Sequence, residues 1–289
     1  MPNTIALAKN YTSLLDEVYR TASVTADLTS EPSMSKAGAN ANEIIYPQIS
    51  VTGLGDYDRN SGYTTGAVDL KWKTAQFNYD RGTRISVDVM DNEESRNLAF
   101  GMAGATLMRD KVAPESDAFT FATLAALDNI SKTTGSIENA QQFLDALLTA
   151  WSKMDEDEVP QEGRMLYATA TLLNSVMALD TTKSREILAK FNVKKAVPQA
   201  RFYTAIDLLD GKTPGEELGH YKKNVSGADI NFMIVHKPAI IKFDKHVAHD
   251  IIPASINPGA DADIMKYRKY GLVDAYANKR AGIYMNSKA

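Results

Sequence analysis

From Asp91 to Leu127 the chain reads DNEESRNLAFGMAGATLMRDKVAPESDAFTFATLAAL, where helix formers recur and apolar residues return at helical spacing. That pattern predicts a helix over almost the whole stretch. At ~1.5 Å per residue it would span roughly 50 Å, beyond the ~30 Å width of a small domain. Asp91 offers an N-cap, and Glu93 and Glu94 fill the first turn, where carboxylates suit free amides and the helix dipole. Leu98, Met102 and Ala105 share one stripe, beside which Gly101 and Gly104 lower the surface to backbone level. Pro114 removes the bond to the carbonyl of Asp110, so it either kinks the rod or opens a second helix with Glu115 and Asp117 in its first turn. One helix kinked at Pro114 is the expectation.

Alternation replaces the helical period upstream. IIYPQISVTGL, starting at Ile44, alternates in part, and AVDLKWKTAQFNY follows the turn-rich GDYDRNSGYTTG. Val68, Leu70 and Trp72 share one face of this second strand, while Asp69, Lys71 and Lys73 share the other. Phe77 and Tyr79 fall on the opposite phase, which predicts a bulge near Thr74 to Gln76. The product is a long hairpin with a mobile polar tip. Its apolar stripe is too thin to stabilise a two-stranded ribbon in water, so it needs something to lie on. RISVDV adds a short strand through Ile85, Val87 and Val89.

Downstream, SIENAQQFLDALLTAWSKM predicts a helix with Phe143, Leu147, Trp151 and Met154 in one seam, and the following DEDE reads as a solvated turn. RMLYATA reads as a strand, TLLNSVMAL as a helix, and residues 211–228 as a long loop. INFMIVH and AIIKF are strands, and DADIMKYRKYGLVDAYANKRAGIYMN is two strands joined by a turn. Helices and strands mix without a βαβ rhythm, which makes the class α+β. At the other end, Ile5, Leu14, Leu15 and Val18 are spaced as in a short helix over residues 4–20. Residues 21–43, TASVTADLTSEPSMSKAGANANE, are small and polar with neither period. Order in such a segment is expected to come from a neighbouring chain.

Composition narrows the function. The 289 residues are 44% hydrophobic and 24% charged, with a net charge of -4. These are the proportions of an ordinary soluble protein, and they lack the basic excess of one that grips nucleic acid backbone. The absence of cysteine excludes disulfides, thiolate metal sites and cysteine nucleophiles, and fits a reducing cytoplasm. No apolar run approaches the ~18 residues of a membrane span, and no signal peptide is expected.

Candidate chemistry is sparse. His246 and His249 in FDKHVAHD, flanked by Asp244 and Asp250, would share one face of a helix as a metal site requires. The surrounding AIIKFDKHVAHDIIP is strand-like, which sends the two rings to opposite faces and favours plain surface histidines. There is no Gly-x-Ser-x-Gly elbow, GLGDYDRNSG fails the dinucleotide fingerprint, and Gly211-Lys212-Thr213 lacks the glycine a phosphate loop needs five residues earlier. No catalytic, cofactor or metal residue is expected. Arg59 and Tyr63 at the hairpin tip, Trp72 on its returning strand, and Arg81 and Arg84 at its base are candidate contacts to another subunit, with solubility the competing reading of the charged tip.

Three phrases carry a resemblance. RDKVAPESDAFTFATLA is similar to the latter part of the spine helix of tailed-bacteriophage major capsid proteins. MIVHKPAIIKFDKH, with His236, Lys237, Ala239 and Lys245, resembles that family's late strand pair. MKYRKYGLVDAYANKRAGIY resembles its closing segment. The similarity covers most of residues 40–286. It implies an N-terminal arm over 1–43, an extended loop over 44–90, a spine helix and peripheral domain over 91–135, an axial domain over 136–252 and closing peripheral strands over 253–289.

By the same resemblance the subunit assembles with many copies of itself, as hexamers and pentamers, into an icosahedral head enclosing double-stranded DNA without reading its sequence. It would work beside a portal, with or without scaffold or decoration proteins, assembling in the bacterial cytoplasm and residing in the virion. Some relatives cross-link through a lysine in the extended loop. The tip from Gly53 to Gly66 has none, and Lys71 and Lys73 lie on the returning strand, so no cross-link is expected. The short arm favours a separate scaffold, or none, over a fused and cleaved one. Two rival expectations remain: a shell of the encapsulin kind holding cargo enzymes, and a metal-dependent hydrolase built on His246–Asp250.

Overall fold

The computed structural model describes residues 22–30, 36–37, 42–94, 98–179 and 181–288. The helix expected over residues 4–20 lies outside them. β1 (Lys36–Ala37), β2 (Glu43–Val51) and β3 (Val68–Gln76) make one antiparallel sheet in that order, and β2 and β3 are the arms of the expected hairpin. β4 (Tyr79–Asp88) leads into α1 (Val89–Glu94), α2 (Leu98–Leu107), a π-helical turn at Met108–Val112 and α3 (Ala113–Ala126). Then come β5 (Ser131–Thr134), α4 (Ala140–Glu156), β6 (Arg164–Thr169), α5 (Ala170–Leu179), α6 (Thr182–Ala189) and β7 (Val193–Val197). The short pair β8 (Ile206–Leu208) and β9 (Tyr221–Lys223) precedes β10 (Ile230–His236), β11 (Ile240–Ile252), β12 (Ala262–Ala275) and β13 (Ile283–Ser287).

Five strands in the order β5–β13–β10–β6–β7 form the central sheet, and both its faces are covered. On one face lie Phe143, Leu147, Trp151 and Met154 of α4, the seam expected from sequence, against Leu166, Phe232, Ile234 and Tyr284. On the other, Phe121 and Leu124 of α3 meet Tyr167, Met233, Val235 and Met285. Ile230 joins this second core out of phase because the pairing of β10 shifts register between Ile230 and Phe232. A smaller sheet, β11–β12–β4, rests Met265 and Tyr267 on Met108 and Val112 of the long helix.

The helix runs unbroken from Leu98 to Ala126, and Pro114 neither ends it nor leaves its disturbance at the proline itself. Proline cannot donate to the Asp110 carbonyl, and its ring crowds that carbonyl. The widened turn just upstream absorbs both effects, closing with the Ala113 N–H on Met108 O, five residues back. The start differs from expectation: α1 opens at Val89, and Asp88, not Asp91, caps it by accepting from the Met90 N–H at 2.9 Å.

Other boundaries move for local reasons. β2 and β3 pair in unbroken register from Glu43↔Gln76 to Val51↔Val68, so there is no bulge near Thr74. The phase change at Phe77 and Tyr79 comes from a break between two sheets. Within the expected loop 211–228, Tyr221–Lys223 pairs with Ile206–Leu208. The DEDE is not all solvated turn, because α4 continues to Glu156 and Asp155 pairs with buried Arg164 at 2.6 Å. β5 and β13 share a sheet with β6 and β10, and β11 pairs with β12.

Candidate inter-subunit surface

Beyond Pro47 the hairpin leaves the body. Its register places Pro47 opposite Trp72, Ile49 opposite Leu70 and Val51 opposite Val68, all on one face. Gln48, Ser50, Asp69 and Lys71 occupy the other face, where the exposed Lys71–Asp69 pair at 2.6 Å adds little. The apolar face is open: Ile49, Val51, Val68, Leu70 and Trp72 are each between 46% and 70% exposed. Five large side chains in one contiguous strip are what a binding surface displays. Covering them would recover on the order of 5 kcal/mol, at roughly 1 kcal/mol for each half-exposed chain.

The tip carries its own turn. Asp58 and Gly62 exchange backbone hydrogen bonds of 3.2 and 2.7 Å, the Asn60 N–H donates to Asp58 Oδ1, and Gly62 takes a φ of +80°. Tyr57 and Tyr63 sit side by side with ring centroids 4.8 Å apart, and both are exposed. Arg59 stands at this outer end.

The root, by contrast, is held. Ile44, Tyr46 and Ala75 pack on Ile241 and Leu272, Tyr46 meets the Tyr276 ring edge-on, and Phe77 stacks on Tyr270. At the break between β3 and β4 the Asn78 amide bonds both the N–H and the C=O of Val273, replacing the missing ladder.

Past this break the expected contact residues separate. Arg84 is exposed on β4. Arg81 turns inward: its Nε donates to Glu115 Oε1 at 2.7 Å, and its Nη2 donates to the carbonyl oxygens of Leu209 and His220. Arg81 is thus bonded within its own chain, with about a quarter of its side chain still exposed. Glu115 also accepts from the Tyr79 hydroxyl, while His220 Nδ1 lies 3.6 Å from Oε2, beyond a hydrogen bond. A cleft of about 520 Å³ opens between β4, the π-helical turn and the 209–220 loop.

Within the polar segment expected to need a neighbour, residues 22–30 are fastened by their own chain. Leu28 and Thr25 are fully buried. Ser23 Oγ, Val24 N–H, Thr25 N–H and Thr25 Oγ1 all donate to the carboxylate of Asp117 on α3. Arg201 adds an ion pair at 3.2 Å, and buried Lys242 donates to Thr25 Oγ1 at 2.6 Å. Sequence reading placed Asp117 as a helix-start carboxylate. The clue it passed over was a run of Ser and Thr whose hydroxyls need an acceptor.

The remaining candidates fall into ordinary places. His246 and His249 lie on β11, paired with Tyr270 and Tyr267, and no group of three or more metal-binding side chains forms among the described residues. In the Gly211-Lys212-Thr213 loop, Asp210 accepts from the amides of Lys212 and Thr213, which holds its carboxyl down at about 2 through those backbone N–H groups. The loop's own carboxylate therefore occupies the donors a phosphate would use. No described helix is long and apolar enough to cross a membrane.

Solved structures share this architecture along nearly the whole chain. The capsid of cyanophage P-SCSP1u aligns over 93% of this chain and 88% of its own, at 12% identity and a TM-score of 0.62. A structure from Mycobacterium phage Che8 covers 91% and 90% at 14% identity, with a TM-score of 0.58. A virus-like particle from Pyrococcus furiosus covers 95% and 96% at 9% identity, with a TM-score of 0.57. No protein-family model and no curated protein sequence matches the chain. The α+β fold is the one these phage capsid structures and the virus-like particle share.

Proposed function

We propose that the chain is a shell subunit of a tailed-phage head, which folds its body alone and completes its hairpin on another copy of itself. The observation that carries this reading is the apolar face of Ile49, Val51, Val68 and Leu70, which stays about half exposed or more in the single chain. The shared fold over nine-tenths of the chain supports it. Arg59, Tyr63, Trp72 and Arg84 are the side chains that would meet the neighbour. Each subunit would be tethered at several points, so that weak contacts compound into a stable shell of hexamers and pentamers.

The contents of the shell would be double-stranded DNA, held without sequence recognition. A net charge of -4 suits this, since a strongly basic lining would grip the phosphate backbone and oppose packaging and release. A portal, and scaffold or decoration proteins, belong to the same proposal, as do virion residence and the division into spine, peripheral and axial regions. The virus-like particle among the structural matches supports a second reading, a compartment around protein cargo. Negative-stain microscopy of the expressed full-length chain tests the first part, with closed shells expected and dispersed subunits excluding it. Nuclease-protected DNA in shells from infected cells would then favour a head over a compartment.

A further inference from the structure

We propose that Glu115 and Asp117 are positioning residues that fix, from one turn of the long helix, how the base of the hairpin and the strap of residues 22–30 sit on the body. The inference rests on the shell reading, in which the hairpin would reach a neighbouring copy from a body whose joints repeat in every subunit.

Three consecutive polar side chains, Glu115, Ser116 and Asp117, are buried directly after the π-helical turn. Successive helical residues point about 100° apart, so each reaches a different segment. Glu115 holds Arg81 and Tyr79 at the start of β4, which continues from the hairpin, and through Arg81 it holds the 209–220 loop. Ser116 meets Lys269 of β12 at 3.2 Å. Asp117 accepts four bonds from Ser23, Val24 and Thr25, and its remaining partner is Arg201. An ionised carboxylate offers about four lone-pair sites, and these five donors leave none of them open. Apolar contacts tolerate sliding, whereas charge-assisted bonds with fixed angles do not. A turn built this way fixes how each segment sits on the body, and a shell closes only if those joints repeat in every copy.

Hydrogen exchange on the dilute full-length chain, with microscopy of the shells it forms, tests this. Glu115→Gln should speed exchange roughly tenfold over 79–88 and 209–220 while 22–30 and β10 stay protected. Asp117→Asn should do the same over 22–30 alone. Both variants should give shells of broadened diameter or incomplete closure, and Arg81→Lys should behave closer to wild type than Arg81→Gln. Exchange that rises equally in β6 and β10, or variant shells matching wild type in diameter and yield, would overturn the proposal. Should Asp117→Asn fail to fold, Thr25→Val removes one hydroxyl from Asp117 and Lys242 and must show the same local pattern. A wild-type chain that never forms shells would remove the shell reading, while the exchange pattern would still decide the joint.

Discussion

Arg164 is almost fully buried and does several jobs. Its guanidinium lies 4.3 Å from the Trp151 ring centroid, donates to Pro160 O and Val159 O, and pairs with Asp155. Sequence marked this arginine only as the first letter of a strand, since nothing local says that a charge will be stacked under a tryptophan. Arg164→Met should lower stability by about 3 kcal/mol, because carbonyl groups lose their donor inside the protein. A shift in urea midpoint, followed by Trp151 fluorescence, checks it. Glu115 gives a pH signature. Burial alone would push its carboxyl up, but the imidazole of His220 3.6 Å away and the hydrogen bonds from Arg81 and Tyr79 together outweigh burial and hold it below the usual glutamate value. A carboxyl depressed in the folded state contributes stability that is present above its unfolded value of ~4.3 and is lost as pH falls through the lower folded one. Exchange protection of the 209–220 loop should therefore fall as pH drops below that range, and Glu115→Gln should flatten the fall.

The hairpin is the element that sequence described best, because a period of two along AVDLKWK fixes which side chains share a face. Val68, Leu70 and Trp72 do line one face, opposite Val51, Ile49 and Pro47. What sequence missed lies at joints, where a change of partner looks like a change of phase. The break at Phe77–Asn78 resembled a bulge, and the cap at Asp88 was hidden behind a better-looking Asp91. Pro114 announced a disturbance but not its form, since a π-helical turn depends on how neighbouring strands seat the helix. Ile49→Asp with Leu70→Asp places two charges on the open face, touching neither core. The variant should keep its melting temperature within a few degrees and lose assembly, which scanning calorimetry and sedimentation velocity will report together.

Taken whole, the molecule has a packed body and a projecting hairpin with an exposed apolar face. The two cores around the central sheet, and the strap of residues 22–30 fastened by Asp117, are packed and bonded within the one chain. The expectation that order in the polar segment comes from a neighbour was too broad for residues 22–30. Sequence could not see this because the acceptor, Asp117, lies about ninety residues away and the contact is purely tertiary. The resemblance to phage coats was legible as diffuse phrases, and the architecture agrees with it over most of the chain. The chain has only two tryptophans, Trp151 in the core and Trp72 on the open hairpin face, which makes quenching of Trp72 fluorescence by acrylamide the most direct test of that division. Trp72 should be readily quenched in dispersed subunits and become protected on assembly, with Trp151 shielded throughout. Equal quenching of Trp72 in both states, or protection already complete in the lone subunit, would contradict it.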